Sequence, residues 1–304
     1  MASLPFTLRQ LRYFVFAAEA GTVIGAASKL GVSSSALSDA ITELQRVLDT
    51  TLCVRTKSQG LTLTPAGTRF LADARRLLHQ AADLASALAT DAREPSGPLV
   101  VSCYPTLAPA ILPVFLENFQ KQHPLVRLAV TEGTQDKLKD QLESGEVDIA
   151  IAYDGPIRGE LRGARLFELH AYVLVAASDP LAGRKTIRLE EMVDGDLIFF
   201  EAAPSGDHTL SLFAEHGLYP KILHRTESFE VVRTLVARGL GYGILVQRPV
   251  NTASYEGLPL AMIEIDPPVR PVGVNILWSN RPDVPRRVTA LIDFACSYQW
   301  AASG

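Results

Sequence analysis

Residues 22–46 read as two short helices meeting at a tight turn, and no other stretch of the chain restricts its fold so strongly. Ala26, Ala27 and Leu30 put small and apolar groups on one side of the first helix, and Gly31 permits the turn. Val32, Leu37, Ile41 and Leu44 then return at helical spacing and give the second helix a buried stripe. The face left over carries Ser34, Ser35, Ser38, Asp39 and Thr42, short polar groups of the kind a helix presents to a DNA major groove. Upstream, Thr7 is placed to cap a helix whose Leu8, Leu11, Val15 and Ala18 repeat at the same spacing, the third helix such a unit needs for a core. Downstream, Leu52 to Pro65 reads as two short β-runs about Ser58-Gln59-Gly60, a wing bringing Arg55 and Lys57 within reach of phosphates. An ordinary helical hairpin is the plain alternative; the third helix and the basic wing argue against it.

Taken together, Leu8 to Phe14, Ala26-Ala27, Val32-Ser33, Ala36-Leu37-Ser38, Ile41, Glu43-Leu44 and Leu63 to Gly67 resemble the LysR-type transcriptional regulators. Where that family usually carries Ser-Gln-Pro-Ala-Leu-Ser-Arg, this chain has Ser33-Ser34-Ser35-Ala36-Leu37-Ser38-Asp39, and Gly25 stands where an arginine usually precedes the alanine pair. The resemblance implies a double-stranded DNA operator as partner and Ser33, Ser34, Ser35, Ser38, Asp39, Thr42, Arg46, Arg55 and Lys57 as the DNA-facing set. The altered residues mean that base contacts do not carry over one by one. Ser34 and Ser35 can donate to phosphates or bases. Asp39 can accept from a cytosine amino group, or be oriented by a neighbouring cation instead. Charge is divided to match: residues 1–69 hold seven Lys/Arg against four Asp/Glu, a net of +3, within a 304-residue chain whose total is −4.

Phe70, Ala74, Leu77, Ala81, Leu84 and Leu88 alternate steps of three and four, which predicts a long helix over 66–94 with a seam for a partner helix. Packing of that seam on its own domain is the other reading. Glu94-Pro95-Ser96-Gly97-Pro98 ends the helix as a linker. In the resembled family this segment pairs two winged units, and the particle is a dimer of dimers. The three cysteines, Cys53, Cys103 and Cys296, are far apart and show no Cys-x-x-Cys spacing, so neither a disulfide framework nor a metal site is expected, and no cofactor. With no signal-type N-terminus and no long uncharged apolar run, the expectation is a cytoplasmic protein without a membrane partner.

Beyond the linker, runs at 99–103, 106–122, 126–131, 136–144 and 147–152 alternate strand and helix, the pattern of a parallel β-α-β-α-β sheet. A second series starts near His170, and 271–278 with 284–298 reads as a return to the first half. Pro105 to Pro109, Glu132-Gly133, Ser144 to Ala150, Asp179 to Ala182 and Val236 to Gly241 resemble the periplasmic-binding-protein-like effector domain of LysR-type regulators. The fold class expected is therefore α/β with a winged helix-turn-helix at 1–65, a linker helix at 66–94 and a two-lobed domain at 95–304. Lobe I would span about 97–169 and 270–304, and lobe II about 170–269. Strand ends and helix starts facing the lobe interface would be Cys103, Tyr104, Thr106, Glu132, Thr134, Tyr153 and Asp154, then Phe200, Glu201, Ser228, Phe229 and Tyr242. Helix starts near Thr106 and Ser228 would favour an anionic group. The resemblance implies that Thr106 and Thr134 hold a carboxylate, and the added acids admit an effector that is aromatic or carries an amine or hydroxyls. Salt bridges and helix caps are the alternative use of those acids.

Gly239 to Gly243 is not a dinucleotide fingerprint, Ser205, Asp207 and His208 lack a nucleophile elbow, and His208, His216 and His224 lack metal spacing and read as surface histidines. The chain is therefore expected not to be an enzyme but a regulator answering to a small-molecule effector. Two alternatives remain at this point: a cytoplasmic solute-binding or enzymatic cleft protein, and a thiol-based redox regulator acting through Cys103.

Overall fold

The computed structural model describes residues 5–56, 60–89, 94–155, 161–280 and 284–300. The N-terminal unit begins with α1 (Leu8–Ala20), whose Thr7 cap forms a reciprocal capping box with Gln10 and whose C-terminus stops at Gly21 in the left-handed region. In α2 (Val23–Leu30) Thr22 caps the start, and Gly31, at φ 66°, makes the turn into α3 (Ser34–Val47). Leu11, Phe14, Leu37, Ile41 and Leu44 close a shared core. The wing is β1 (Cys53–Thr56) paired antiparallel with β2 (Gly60–Leu63). Gln45 fixes its entry, accepting from the Leu52 and Cys53 amides at 2.8 and 3.0 Å.

The linker helix α4 (Pro65–Ala89) divides the expected seam. Leu71 and Ala74 are buried in the winged unit's own core, with Phe70 and Leu77 packed against it, so the first half of the helix closes its own domain. Leu84 is 68% exposed and remains available to a partner; the side chain of Leu88 lies outside the described residues.

After the linker, β3 (Gly97–Cys103) leads into α5 (Ala108–Val114), which continues through a π-helical stretch (Phe115–Phe119) and a last turn, α6 (Gln120–Gln122). Then come β4 (Val126–Glu132), α7 (Gln135–Glu143), β5 (Ile149–Tyr153) and β6 (Leu161–Leu169). With β13 (Val272–Ser279) they make one sheet, ordered β4-β3-β5-β13-β6, closed by α10 (Arg286–Ser297). β4, β3 and β5 pair parallel and β6 runs in the same direction, while β13 lies between β5 and β6 and pairs antiparallel with both, so the sheet is mixed where the sequence pattern suggested a parallel one. The strand β6 escapes the pattern because its alternation is broken by Gly163 and three charged residues on an edge strand.

The second sheet is built from β7 (Tyr172–Ala176), β8 (Thr186–Ile187), β9 (Asp196–Phe200), β10 (Lys221–Thr226), β11 (Gly243–Leu245) and β12 (Leu260–Ile265). A Leu197–Tyr242 bridge joins its two parts into the order β10-β9-β11-β7-β12-β8. Alternation along β7 serves both faces. Val173 and Val175 meet Leu212 and Phe213 of α8 (Ser205–Ala214), while Tyr172 and Leu174 meet Val232 and Val236 of α9 (Phe229–Ala237). The chain passes between sheets twice, from β6 to β7 and from β12 to β13, and the strand ends around those crossings frame a cleft.

Candidate functional site

The exposed face of α3 presents Ser34, Ser35, Asp39 and Thr42, with Ser38 half-buried. Not all of these groups are free to reach outward. Ser33 is the N-cap, accepting from the Ala36 amide at 3.2 Å, and its hydroxyl meets that of Ser35 at 3.1 Å. Thr42 donates to the Ser38 carbonyl one turn back at 2.9 Å. Arg46 is held in a two-point ion pair by Glu43 on its own helix, at 2.7 and 2.6 Å, so its guanidinium is partly neutralised before any phosphate arrives. That pairing lowers the Glu43 pKa and raises that of Arg46, chiefly through the shared hydrogen bond. Of Arg55 only the backbone, on β1, is described, and Lys57 lies outside the described residues.

A polar chain connects this unit to the first lobe. Arg75 of α4, nearly buried, meets Glu19 at 3.1 Å and Glu146 of the α7–β5 turn at 3.6 Å. Glu146 accepts from Gln141, and Gln141 accepts from Ser102 on β3, beside the strand end that enters the cleft.

Between the lobes lies a cavity of about 450 Å³. Thr106, Tyr153, Asp154, Phe200 and Phe229 of the expected set line it. The Thr106 and Tyr153 hydroxyls meet at 2.7 Å, and burial pushes the Tyr153 hydroxyl pKa up, partly offset by that bond. Asp154 lines the cavity but its oxygens are occupied. It accepts from Arg165 at 2.9 and 3.0 Å, from the Gly273 amide at 2.8 Å and from Asn275 at 2.8 Å, a latch across β5, β13 and β6. Partial burial works against its charge, but the hydrogen bonds from Asn275 and Gly273 and the Arg165 cation outweigh it and lower its pKa.

The other expected residues do not line the cavity. Cys103 is fully buried in the lobe I core, and desolvation, with Glu132 adding to it, raises its thiol pKa so that it stays protonated, the opposite of a reactive thiolate. Tyr104 is buried and donates across the cleft to the Ala203 carbonyl at 2.9 Å, a strap between lobes. Glu132, at the end of β4, and Thr134, before α7, are exposed beside the edge strand farthest from the crossing strands β13 and β6, and neither lines the cavity. Glu201 is exposed and pairs with Arg225 at 3.7 Å. Ser228 caps α9, accepting from the Val231 amide, and Tyr242 is buried in the second sheet.

What the pattern reading missed is the first turn of α8 and the crossing segments: Ser205, Asp207, His208, Thr209, Gln247 and Arg270 all line the cavity. His208 is thus a half-buried cleft residue and not a surface histidine; burial and the nearby Arg270 cation lower its pKa. The proximity of Ser205, Asp207 and His208 in sequence was the available signal, and it marked a helix start facing the cleft. Among the described residues no group of three or more His, Cys, Asp or Glu is placed to hold a metal ion, and no helix is long and apolar enough to cross a membrane.

Comparison with known proteins agrees with this two-part build. Residues 8–68 match the bacterial regulatory helix-turn-helix protein, lysR family, and residues 92–298 match the LysR substrate binding domain. The chain belongs to the LysR family of transcriptional regulators. It is similar to the transcriptional regulator CysB of Haemophilus influenzae, 28% identical over 276 residues, covering 90% of this chain and 84% of that one. It is similar also to the regulator EstR of Acinetobacter baylyi, 31% identical over 258 residues and 83% of each chain. Among solved structures, a full-length OxyR variant from Pseudomonas aeruginosa superposes with TM-score 0.77 at 26% identity, covering 97% of this chain and 99% of the other. This LysR-type protein is accordingly a DNA-binding transcriptional regulator with an effector-binding domain.

Proposed function

We propose that residues 1–65 read an operator duplex, that 66–94 pair two such units, and that 95–304 bind the controlling small molecule in the inter-lobe cleft. Ser34, Ser35, Asp39 and Thr42 face the major groove, with Arg55 and Lys57 of the wing on phosphates. Ser33 and Arg46 act mainly by shaping the helix that carries them. The exposed Leu84 half of α4 supports pairing between copies, and a dimer of dimers places four winged units on the duplex. Residues 1–69, with a net charge of +3, are only mildly basic, so such multiplication supplies most of the salt-dependent affinity.

The observation that carries the effector reading is the cavity itself: residues of both lobes line it, so a ligand that fits one lobe spacing better than another shifts their relative position. The Arg75–Glu146 contact gives that movement a direct path to the winged unit. The relatives reported above are transcriptional regulators, which favours regulation over catalysis at this site.

The reading is tested by titrating the full-length protein onto the DNA upstream of its own gene and onto shuffled DNA of equal length, across a salt series. Ser34→Ala and Asp39→Ala serve as variants. Preference for the upstream DNA, reduced by these changes, is the expected result. Equal and purely salt-driven binding to both duplexes, unchanged in the variants, overturns the assignment of the α3 face.

A further inference from the structure

The cleft lining contains two kinds of unfinished business, and together they define a ligand. The first is charge. Of the charged residues that line the cavity, Asp154 is paired, with Arg165, and Arg165 is itself shared with Glu168. Arg270, on the β12–β13 crossing, and Asp207, in the first turn of α8, are the exceptions in the lining. Both are exposed, and among the described residues neither forms a hydrogen bond or ion pair, with each other or with anything else. One sits on the crossing segment and the other on a lobe II helix, so the cavity presents a cation and an anion that its own fold leaves uncompensated.

The second is hydrogen bonding. Gln247 is only 9% exposed, yet its Oε1 has no partner, and the same is true of the buried His208 Nε2. Both residues line the cavity. Buried polar atoms of this kind cost free energy unless something satisfies them, and a ligand with donors and acceptors at one end would do so. Phe200, Phe229, Ile244, Leu245 and Val272 form the apolar part of the wall, beside the hydroxyl residues Ser205, Thr209 and Ser211. At about 450 Å³ the space is at the small end of the range for small-molecule sites.

From these observations we infer that the effector is a zwitterion with an apolar body, of the class of the apolar amino acids, its carboxylate on Arg270, its ammonium on Asp207 and its side chain against Phe200 and Phe229. Asp154 takes no part, because Arg165, Gly273 and Asn275 already saturate it. Thr106 is tied to Tyr153 by a hydroxyl–hydroxyl bond and carries no charge to offer either end of the ligand. A simple carboxylate would leave Asp207 uncompensated, and a simple amine would leave Arg270 so. The paired charges therefore select a ligand that carries both signs. A forked guanidinium on a carboxylate supplies geometry as well as charge.

This inference rests on the cleft being the effector site and names the class of molecule that fills it. The experiment uses isothermal titration of the full-length protein with phenylalanine, leucine and methionine, each beside the acid lacking its amine and the amine lacking its carboxylate. Arg270→Gln and Asp207→Asn are measured alongside, with circular dichroism to show that both variants fold. At least one amino acid is expected to bind, with both single-charge analogues weaker by tenfold or more and each variant losing affinity by at least as much. Each variant should lose discrimination only against the analogue lacking the group it recognised. An acid that binds as tightly as its amino acid, with Asp207→Asn unaffected, overturns the zwitterion. So does the absence of binding by all nine compounds. A compound that binds the cleft but leaves DNA affinity unchanged counts instead against the regulatory reading of the cleft, which keeps the two failures apart.

Discussion

Gly67 lies inside α4, two residues past the helix start, and replacing it with alanine sets two physical effects against each other. Helix propensity alone favours the alanine by about 1 kcal/mol. The tertiary structure forbids it: a Cβ at this position would stand 1.9 Å from the Leu52 carbonyl oxygen, where ordinary contacts begin beyond 3 Å. Leu52 cannot retreat freely. Its carbonyl accepts from the Thr64 amide at 3.0 Å, its own amide is held by Gln45 at 2.8 Å, and its side chain is buried in the winged core. Moving it more than 1 Å forces overpacking costing about 1 to 3 kcal/mol and forfeits a hydrogen bond worth about 0.5 to 1.5 kcal/mol. After the propensity gain of about 1 kcal/mol the balance is a destabilisation near 2 kcal/mol. For a unit of 60 to 100 residues that is a fall of about 8 to 16 °C in melting temperature. Scanning calorimetry of the full-length protein should show the winged transition lowered by that amount in Gly67→Ala, with weaker binding to a duplex selected by the wild type. Gly183→Ala, where an added Cβ meets nothing within 4 Å, is the control and should match or slightly exceed the wild type. A Gly67→Ala protein that melts at or above the wild type and binds DNA equally well refutes the close-approach argument.

Three further outcomes follow from the same structure. Glu43→Gln frees the Arg46 guanidinium on α3, so the slope of log affinity against log salt should steepen by about 0.9, the value of one added phosphate contact; an unchanged slope means Arg46 does not reach the backbone. Native protein treated with iodoacetamide should be alkylated at exposed Cys296 and not at Cys103, whose buried thiol is held protonated, and a Cys103 adduct on the folded protein would revive a redox reading. The Asp154 carboxyl has a folded pKa below its unfolded value of about 3.9, so its contribution to stability is present above that value and lost as pH falls through the lower folded one. The melting-temperature gap between wild type and Asp154→Asn should accordingly be constant above about pH 5 and shrink below about pH 4; a gap independent of pH would show that the latch does not depend on charge.

Most secondary structure was legible because it rests on local signals. Thr7, Thr22 and Ser33 cap helices, Gly31 turns between two of them, and the run Phe229–Ala237 is helical with the bounds its periodicity indicates. The strands β6 and β12 were not legible, since an antiparallel strand that joins a sheet from far along the chain owes its existence to neighbours and not to its own alternation. The cleft was half legible. Strand ends bring Thr106, Tyr153 and Asp154 to it as topology requires, but whether a side chain there is free is a matter of partners, and those partners, Arg165, Gly273, Asn275 and Ala203, come from other segments.

By itself, then, the sequence determined that a capped three-helix unit with a wing precedes a long helix and a two-lobed α/β domain, because caps, turns and hydrophobic periods act over a few residues. Only the tertiary structure decided that half of the linker seam belongs to the winged core, that Asp154 and Tyr104 are structural ties, and that Arg270 and Asp207 face one cavity unpaired. Those outcomes depend on which distant groups meet, and charge compensation and burial are properties of the meeting and not of the residue.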